Sequence, residues 1–393
     1  MNRLVIQGHL ITDRQLRNDQ ILVCEDGKIA HVGPSRGETP DLVVESGYIA
    51  PGYVDIHIHG CKGYDVMDGT FESLAGIARS LTAYGVTGFL ATTLTAHLER
   101  LLQVVAVCRE FAERQQDAGV DAGERTQLGA RLLGIHLEGP WLNAKYKGAQ
   151  NEAHIAPPSL DDAKRLLEAA GGLLKIVTLA PEQSQAGDVI QYLSEQGVKA
   201  SVGHSDATYE HVKAALAHGL AHVTHCCNGM RGFHHREPGV IGAAMYHDEL
   251  TAELIADGIH VHPVVMSILH RLKTTDRMVL VSDGMRAVGM PDGEYELGGL
   301  RVCMQNGEAR LADGTLAGST LTLERAVQNM VRLCGVPIAD AVAMASEIPA
   351  RAIGFGDRKG RLAAGYDADF VVLDESLHVI HTFVGGQRLS IQG

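Results

Sequence analysis

Apolar residues fall in short runs along the chain, and the spacing between runs changes twice. In the first fifty residues the runs are Leu4-Val-Ile, Ile21-Leu-Val-Cys, Lys28-Ile-Ala-His-Val and Leu42-Val-Val, broken at Asp26-Gly27, Gly33-Pro34 and Gly47. Short runs between such breakers predict strands joined by tight turns. The other end repeats the style, with Ala368-Asp-Phe-Val-Val-Leu and Val379-Ile-His-Thr-Phe-Val followed by Gly385-Gly386. Two strand-rich ends predict one small β-sandwich domain assembled from residues 1–50 and 350–393.

Residues 51–349 read differently. Eight apolar runs alternate with longer segments of helical character: Tyr53-Val-Asp-Ile-His-Ile, Val86-Thr-Gly-Phe-Leu-Ala, Leu132-Leu-Gly-Ile-His-Leu, Leu174-Lys-Ile-Val-Thr-Leu, Val198-Lys-Ala-Ser-Val-Gly, His222-Val-Thr-His, Ala252-Glu-Leu-Ile-Ala and Met278-Val-Leu-Val-Ser. Strand–helix alternation implies parallel strands with crossover helices. Eight such units over about 300 residues match a TIM-like (β/α)8 barrel. The alternative is a doubly wound open sheet, but no Gly-x-Gly-x-x-Gly follows the first run, which weakens a dinucleotide reading. The polar, glycine-containing stretch 110–131 predicts a helix end and a surface loop.

Charge narrows the class of partner. The chain has 393 residues and a formal net charge of −13, with no Lys/Arg-rich run. That balance argues against nucleic acid or an anionic membrane as the main partner. Taken alone, it also argues against an anionic substrate. No apolar stretch approaches the roughly 18 residues of a membrane span, and Met1-Asn-Arg-Leu-Val-Ile does not read as a secretory signal. Seven cysteines without zinc-ribbon spacing fit a reducing, cytoplasmic setting.

Chemistry concentrates where the central runs end. In Asp55-Ile-His57-Ile-His59-Gly60 the two histidines alternate along a strand and project to one side. Paired imidazoles are natural ligands for a divalent transition metal. Glu138 ends the third run, His204 the fifth, His225 the sixth and Asp283 the eighth. A single strand-end histidine or aspartate is usually a satisfied structural residue, whereas six at successive strand ends point to a shared centre for one or two metals. Such a metal lowers the pKa of water towards ~7, and a neighbouring carboxylate can carry the proton.

These stretches carry a resemblance. Pro51-Gly-Tyr-Val-Asp-Ile-His-Ile-His-Gly60, His136-Leu-Glu-Gly-Pro140, Val202-Gly-His-Ser-Asp206, His234-His-Arg-Glu-Pro-Gly239, Leu254-Ile-Ala-Asp-Gly-Ile-His260, Ser282-Asp-Gly-Met-Arg286 and Gly314-Thr-Leu-Ala-Gly-Ser319 resemble the N-acetylglucosamine-6-phosphate deacetylase family of the amidohydrolase superfamily. The resemblance implies that Glu138, His204 and His225 hold the principal divalent ion, zinc or iron. It implies a second ion with His57, His59 and Glu138, and Asp283 as a residue both ions approach. Asp283 would serve as general base and then general acid in hydrolysing an acetamide, a step of amino-sugar catabolism. His260 resembles the family's substrate-binding histidine. Asn228, Gly229 and Arg236 match the phosphate-binding positions, with Arg236 reaching the neighbouring site of a homodimer. Ala149, Gln150, Asp257, Leu316, Ala317 and Gly318 match other sugar-contacting positions.

Three alternatives accompany this expectation. One is the N-acetylgalactosamine 6-phosphate epimer, which Cys226-Cys-Asn-Gly-Met230 brings to mind. A cyclic-amide hydrolase of the dihydroorotase type would usually carry a bridging lysine where Glu138 stands. A non-catalytic scaffold should have lost ligands or the base, and all six are present. Cys61, the Cys226-Cys227 pair and Trp141 depart from the family's commoner pattern; small buried side chains and a filled pocket wall account for them most simply.

Overall fold

The computed structural model describes residues 3–117 and 128–389. Its centre is a barrel of eight parallel strands: β1 (Tyr53–Ile58), β2 (Val86–Thr92), β3 (Arg131–Glu138), β4 (Leu174–Leu179), β5 (Lys199–Val202), β6 (Leu220–Val223), β7 (Thr251–Ile255) and β8 (Met278–Val281). Each run expected from the sequence is a strand. They read as continuous apolar runs because helices cover their outer face. The helices that follow the strands are α1 (Phe71–Leu81), α2 (Leu98–Gln116), α3 (Leu160–Ala170), α4 (Ala186–Glu195), α5 (Tyr209–Ala217), α6 (Gly239–Tyr246), α7 (Pro263–Arg277) and, after the last strand, α8 (Leu323–Cys334). Four of them start at hydroxyl caps: Thr70, Ser159, Thr208 and Thr322 each accept a first-turn backbone N–H. Such a cap is worth about 1 kcal/mol. Helix α2 forms the first part of the polar stretch 110–131; the loop expected within it lies at 118–127, outside the described residues.

The barrel closes between β8 and β1. The Asp283 N–H donates to His57 O at 2.9 Å, and the N–H groups of His59 and Gly60 donate to Gly284 O at 2.8 and 2.9 Å. Buried Asp55 spans the same seam, its Oδ1 accepting from the N–H groups of His57 and Ser282, each at 3.3 Å.

Strands from both ends of the chain form one eight-stranded sheet. Arg3–Thr12, Gln15–Glu25, Lys28–Gly33, Leu42–Val43 and Tyr48–Pro51 join Phe370–Leu373, Val379–Val384 and Gln387–Leu389. Tyr48–Pro51 pairs antiparallel with Phe370–Leu373 and so ties the two ends together. The sheet wraps Ile6, Leu10, Leu22, Ile49, Phe370 and Phe383, the two phenylalanine rings stacking with centroids 4.4 Å apart. Beside it, buried Lys359 pairs with Asp367 at 2.9 Å and with Asp369. A further sheet of Gly293–Leu297, Leu300–Gln305 and Glu308–Arg310 follows β8. The sequence gives little sign of it, because its strands are short and one face is exposed.

Candidate metal and active site

The six strand-end residues converge at the C-terminal mouth of the barrel. Turning them inward strains the chain: His204, His225 and Asp283 have φ of 48°, 28° and 49°, a left-handed region costly for residues with a Cβ. Glu138 lies at the middle. Its Oε1 is 3.1 Å from both His204 Nε2 and His225 Nε2, and those two nitrogens are 3.0 Å apart. Its Oε2 is 3.3 Å from His59 Nε2 and accepts from Gln150 Nε2 at 2.7 Å. Asp283 Oδ1 is 3.2 Å from His59 Nε2 and 3.4 Å from His57 Nε2.

The electrostatics follow from burying many titratable groups together. Burial disfavours an imidazolium at His57, but the carboxylates of Glu253, Asp283 and Glu138 overcome it and hold the ring well above its usual range. His59 is likewise raised to about 9 against burial, by Asp283 and Glu138. Burial would raise Glu138, yet His57, His204 and His225 keep it well below the usual carboxylate range. Asp283 is lowered by His57 and His59 against the same penalty. The pocket therefore demands positive charge beside its two carboxylates.

A divalent cation fits that demand. His204 Nδ1 lies 2.9 Å from Tyr146 O, so its N–H donates there and Nε2 offers a lone pair to the cavity. His57 Nε2 is buried without a hydrogen-bond partner, a free ligand atom. Three three-residue sets hold donor atoms within 4.8 Å of one another: Glu138, His204 and His225; His57, His59 and Asp283; and, deeper in the barrel, His57, His136 and Glu253. Imidazole and carboxylate donors suit a borderline cation.

All of the strand-end residues but His57 wall a cavity of about 170 Å³. Ala149, Gln150, Asn228, Gly229, His260, Leu316 and Gly318 line it alongside His59, Glu138, His204, His225 and Asp283. Gly229 has φ of 57°, and a Cβ there would lie 2.9 Å from His204 Nδ1. Asp257 stands behind the lining, its Oδ2 2.6 Å from His260 Nδ1. Ala317 is buried in the small apolar cluster with Met285 and Leu297 rather than on the cavity wall. Arg236 is exposed, with Nη1 2.8 Å from His235 Nε2, and it is absent from the lining. Among the described residues, no lysine or arginine lines this cavity. A larger cavity of about 600 Å³, beside Lys359 and Arg131, contains none of these groups.

Residues 48–389 match the model of the amidohydrolase family. The chain belongs to that family. It is 39% identical over 381 residues to the N-acetylglucosamine-6-phosphate deacetylase of Bacillus subtilis, covering 96% of this chain and 94% of the relative. It is 38% identical to the N-acetylgalactosamine-6-phosphate deacetylase of Escherichia coli O157:H7, covering 99% and 100%. Among solved structures, a variant of the Mycobacterium smegmatis N-acetyl-D-glucosamine-6-phosphate deacetylase in complex with N-acetyl-D-glucosamine 6-phosphate superposes with a TM-score of 0.91 at 33% identity, covering 99% and 100%.

Sequence reasoning passed over a second layer in this amidohydrolase. Glu253 on β7 accepts from His57 Nδ1 at 2.8 Å and from His222 Nε2 at 3.1 Å. His136 on β3 packs edge-on against His57, with ring centroids 4.6 Å apart, and is lowered to about 3 by burial and by His57. The signal for both was a polar residue inside an otherwise apolar run. The three departures from the family pattern are buried or nearly so: Cys61 and Cys226 lie in the barrel core, Cys227 is half-buried, and Trp141 is also core.

Proposed function

We propose that this amidohydrolase cleaves the acetamide of N-acetyl-D-glucosamine 6-phosphate to D-glucosamine 6-phosphate and acetate. The observation that carries the reading is Asp283. Its ionised carboxylate faces the same small cavity as Glu138, His204 and His225, where an acetamide carbonyl has room to sit. Near-full-length likeness to several deacetylases supports the same chemistry.

Glu138, His204 and His225 would hold the principal divalent ion, zinc or iron, and His57 and His59 with Glu138 and Asp283 a second. Such an ion supplies Lewis acidity that polarises a carbonyl and acidifies water. Asp283 takes the proton of the attacking water and returns it to the departing sugar amine. Asp257 fixes His260 against the sugar, since a ring nitrogen held at 2.6 Å presents its other nitrogen outward. Ala149, Leu316 and Gly318 shape the sugar pocket. The 6-phosphate is read by the backbone at Asn228 and Gly229 and by Arg236 of a second subunit. Among the described residues no lysine or arginine lines the cavity, so a guanidinium from outside it would supply the fork onto phosphate oxygens. In this reading the enzyme is a cytoplasmic homodimer whose seven free cysteines stay reduced.

Acetate release from phosphorylated and unphosphorylated N-acetylglucosamine tests the assignment. Activity should depend strongly on the phosphate, and Arg236→Ala should raise KM only for the phosphorylated sugar. Equal rates on both sugars would refute it. The 38% identical E. coli relative keeps N-acetylgalactosamine 6-phosphate as the second reading; faster turnover of that epimer would establish it instead.

A further inference from the structure

We propose that Glu253 is a positioning residue of the metal centre, acting through His57 to orient and strengthen cation binding at the His57–His59 site. The inference deepens the function proposed above and rests on its second cation site. Glu253 sits mid-strand in β7 with a fully buried side chain, between the apolar Ala252 and Leu254. Its partners are the His57 and His222 rings and the His225 N–H, the last at 3.0 Å. Among the described residues, no lysine or arginine pairs with it. A buried carboxylate without a fixed cation costs several kcal/mol, so an apolar residue would serve the barrel better if packing were its only task.

The geometry shows what the charge does. Because Glu253 Oε2 accepts the Nδ1–H of His57 at 2.8 Å, His57 Nε2 is left as the atom that faces Asp283 and Glu138, 3.4 and 3.6 Å away. A carboxylate behind a ligating histidine fixes the ring's tautomer and raises its basicity. The same Oε2 holds the backbone of His225, so one side chain braces a ligand of each proposed site. His222 steadies the carboxylate from the far side and is itself 2.5 Å from Thr251 Oγ1. The atoms of His57, His136 and Glu253 also lie close enough to ring a cation. However, His136 spends Nδ1 on Ile56 O at 3.0 Å and Nε2 on Thr178 Oγ1 at 2.7 Å, which leaves no lone pair for one.

Glu253→Gln isolates the charge. The amide oxygen keeps the bonds from His57 and His225, and the amide NH2 can donate to His222 Nε2. Metal-free protein is titrated with Co²⁺ against a chromophoric chelator while the visible absorption is followed. Wild type should take up two equivalents. In Glu253→Gln the first should bind unchanged, and the second more weakly by on the order of 10- to 100-fold. Adding Glu253→Gln to His57→Asn should change nothing further. Unaltered binding of the second equivalent in Glu253→Gln overturns the role while leaving the two-ion reading intact. A wild type that takes up one equivalent, insensitive to His57→Asn, overturns both, and acetate release then judges the deacetylase reading separately. If Glu253→Gln does not fold, zinc-loaded wild type labelled with ¹⁵N-histidine still decides. A His57 signal protonated at Nδ1, identified by its loss in His57→Asn, is expected; protonation at Nε2 overturns the role.

Discussion

Replacing Asp283 by Asn removes one charge and almost nothing else. Asn has nearly the same volume, and the bonds that place residue 283 are backbone ones: its N–H to His57 O at 2.9 Å and its carbonyl to the Ser319 N–H at 2.7 Å. Glu138, His204 and His225 do not depend on that side chain: Gln150 Nε2 holds Glu138 at 2.7 Å, Tyr146 O holds His204 Nδ1 at 2.9 Å, and Glu253 Oε2 accepts the His225 N–H at 3.0 Å. What disappears is a carboxylate 3.2 Å from His59 and 3.4 Å from His57, kept ionised by both rings against burial. General acid–base catalysis contributes about 10²- to 10⁴-fold. Because one carboxylate would serve both proton transfers, the loss should fall near the upper end, roughly 5 kcal/mol at 1.36 kcal/mol per decade. The assay is steady-state acetate release at saturating substrate, with metal content measured on the same samples. Retention of more than a tenth of wild-type kcat, with metal content preserved, would refute the role of Asp283. A parallel loss of metal would instead trace the effect to its share in holding the second ion.

Gln150→Ala removes the 2.7 Å bond to Glu138 Oε2 and should weaken metal retention by about 10-fold in chelator competition; unchanged retention would show that Glu138 needs no such brace. Gly229→Ala combines φ of 57° with a Cβ 2.9 Å from His204 Nδ1. It should cost about 1–2 kcal/mol of stability from the backbone alone and lower metal content, read by denaturant unfolding and metal analysis. Lys359→Met strands buried Asp369 and should cost about 3–5 kcal/mol, seen as a lower Tm. Asp367 is held below its usual range by Lys359 and Lys28 against burial, so its contribution is present above the unfolded value near ~3.9 and lost as pH falls through the lower folded one. Lys359 is held above its usual range by Asp369 and Asp367 against burial, so its contribution is present below ~10.4 and lost as pH rises through the higher folded one. The Tm gap between wild type and Lys359→Met should therefore be widest near neutrality and narrow towards pH 3; a gap independent of pH would contradict the ion-pair account.

The barrel was legible because parallel strands buried on both faces read as uninterrupted apolar runs, and the strand-end ligands stood out because they follow those runs. Glu253 and His136 were harder to see, since a polar residue inside an apolar run carries no label for the partner that satisfies it across the barrel. Ala317 matched a family position, yet its side chain packs with Met285; a sequence match fixes position along the chain, not the direction of a side chain. The hairpin sheet at 293–310 has one wet face and no long apolar run. Net charge misled most: −13 over the whole chain says little about a pocket whose histidines are driven towards positive charge by a few carboxylates.

The join between β8 and β1 gives the barrel a clasp. His57 and His59 lie on one side of it and Asp283 on the other, more than two hundred residues apart in sequence. Contacts so distant along the chain are the costliest to close. A cation that binds only when both sides meet would reward that closure directly, adding about 2.7 kcal/mol at a free concentration of 100 Kd. Thermal stability then becomes a readout of metal supply, and a chelator should loosen this join before the rest of the sheet.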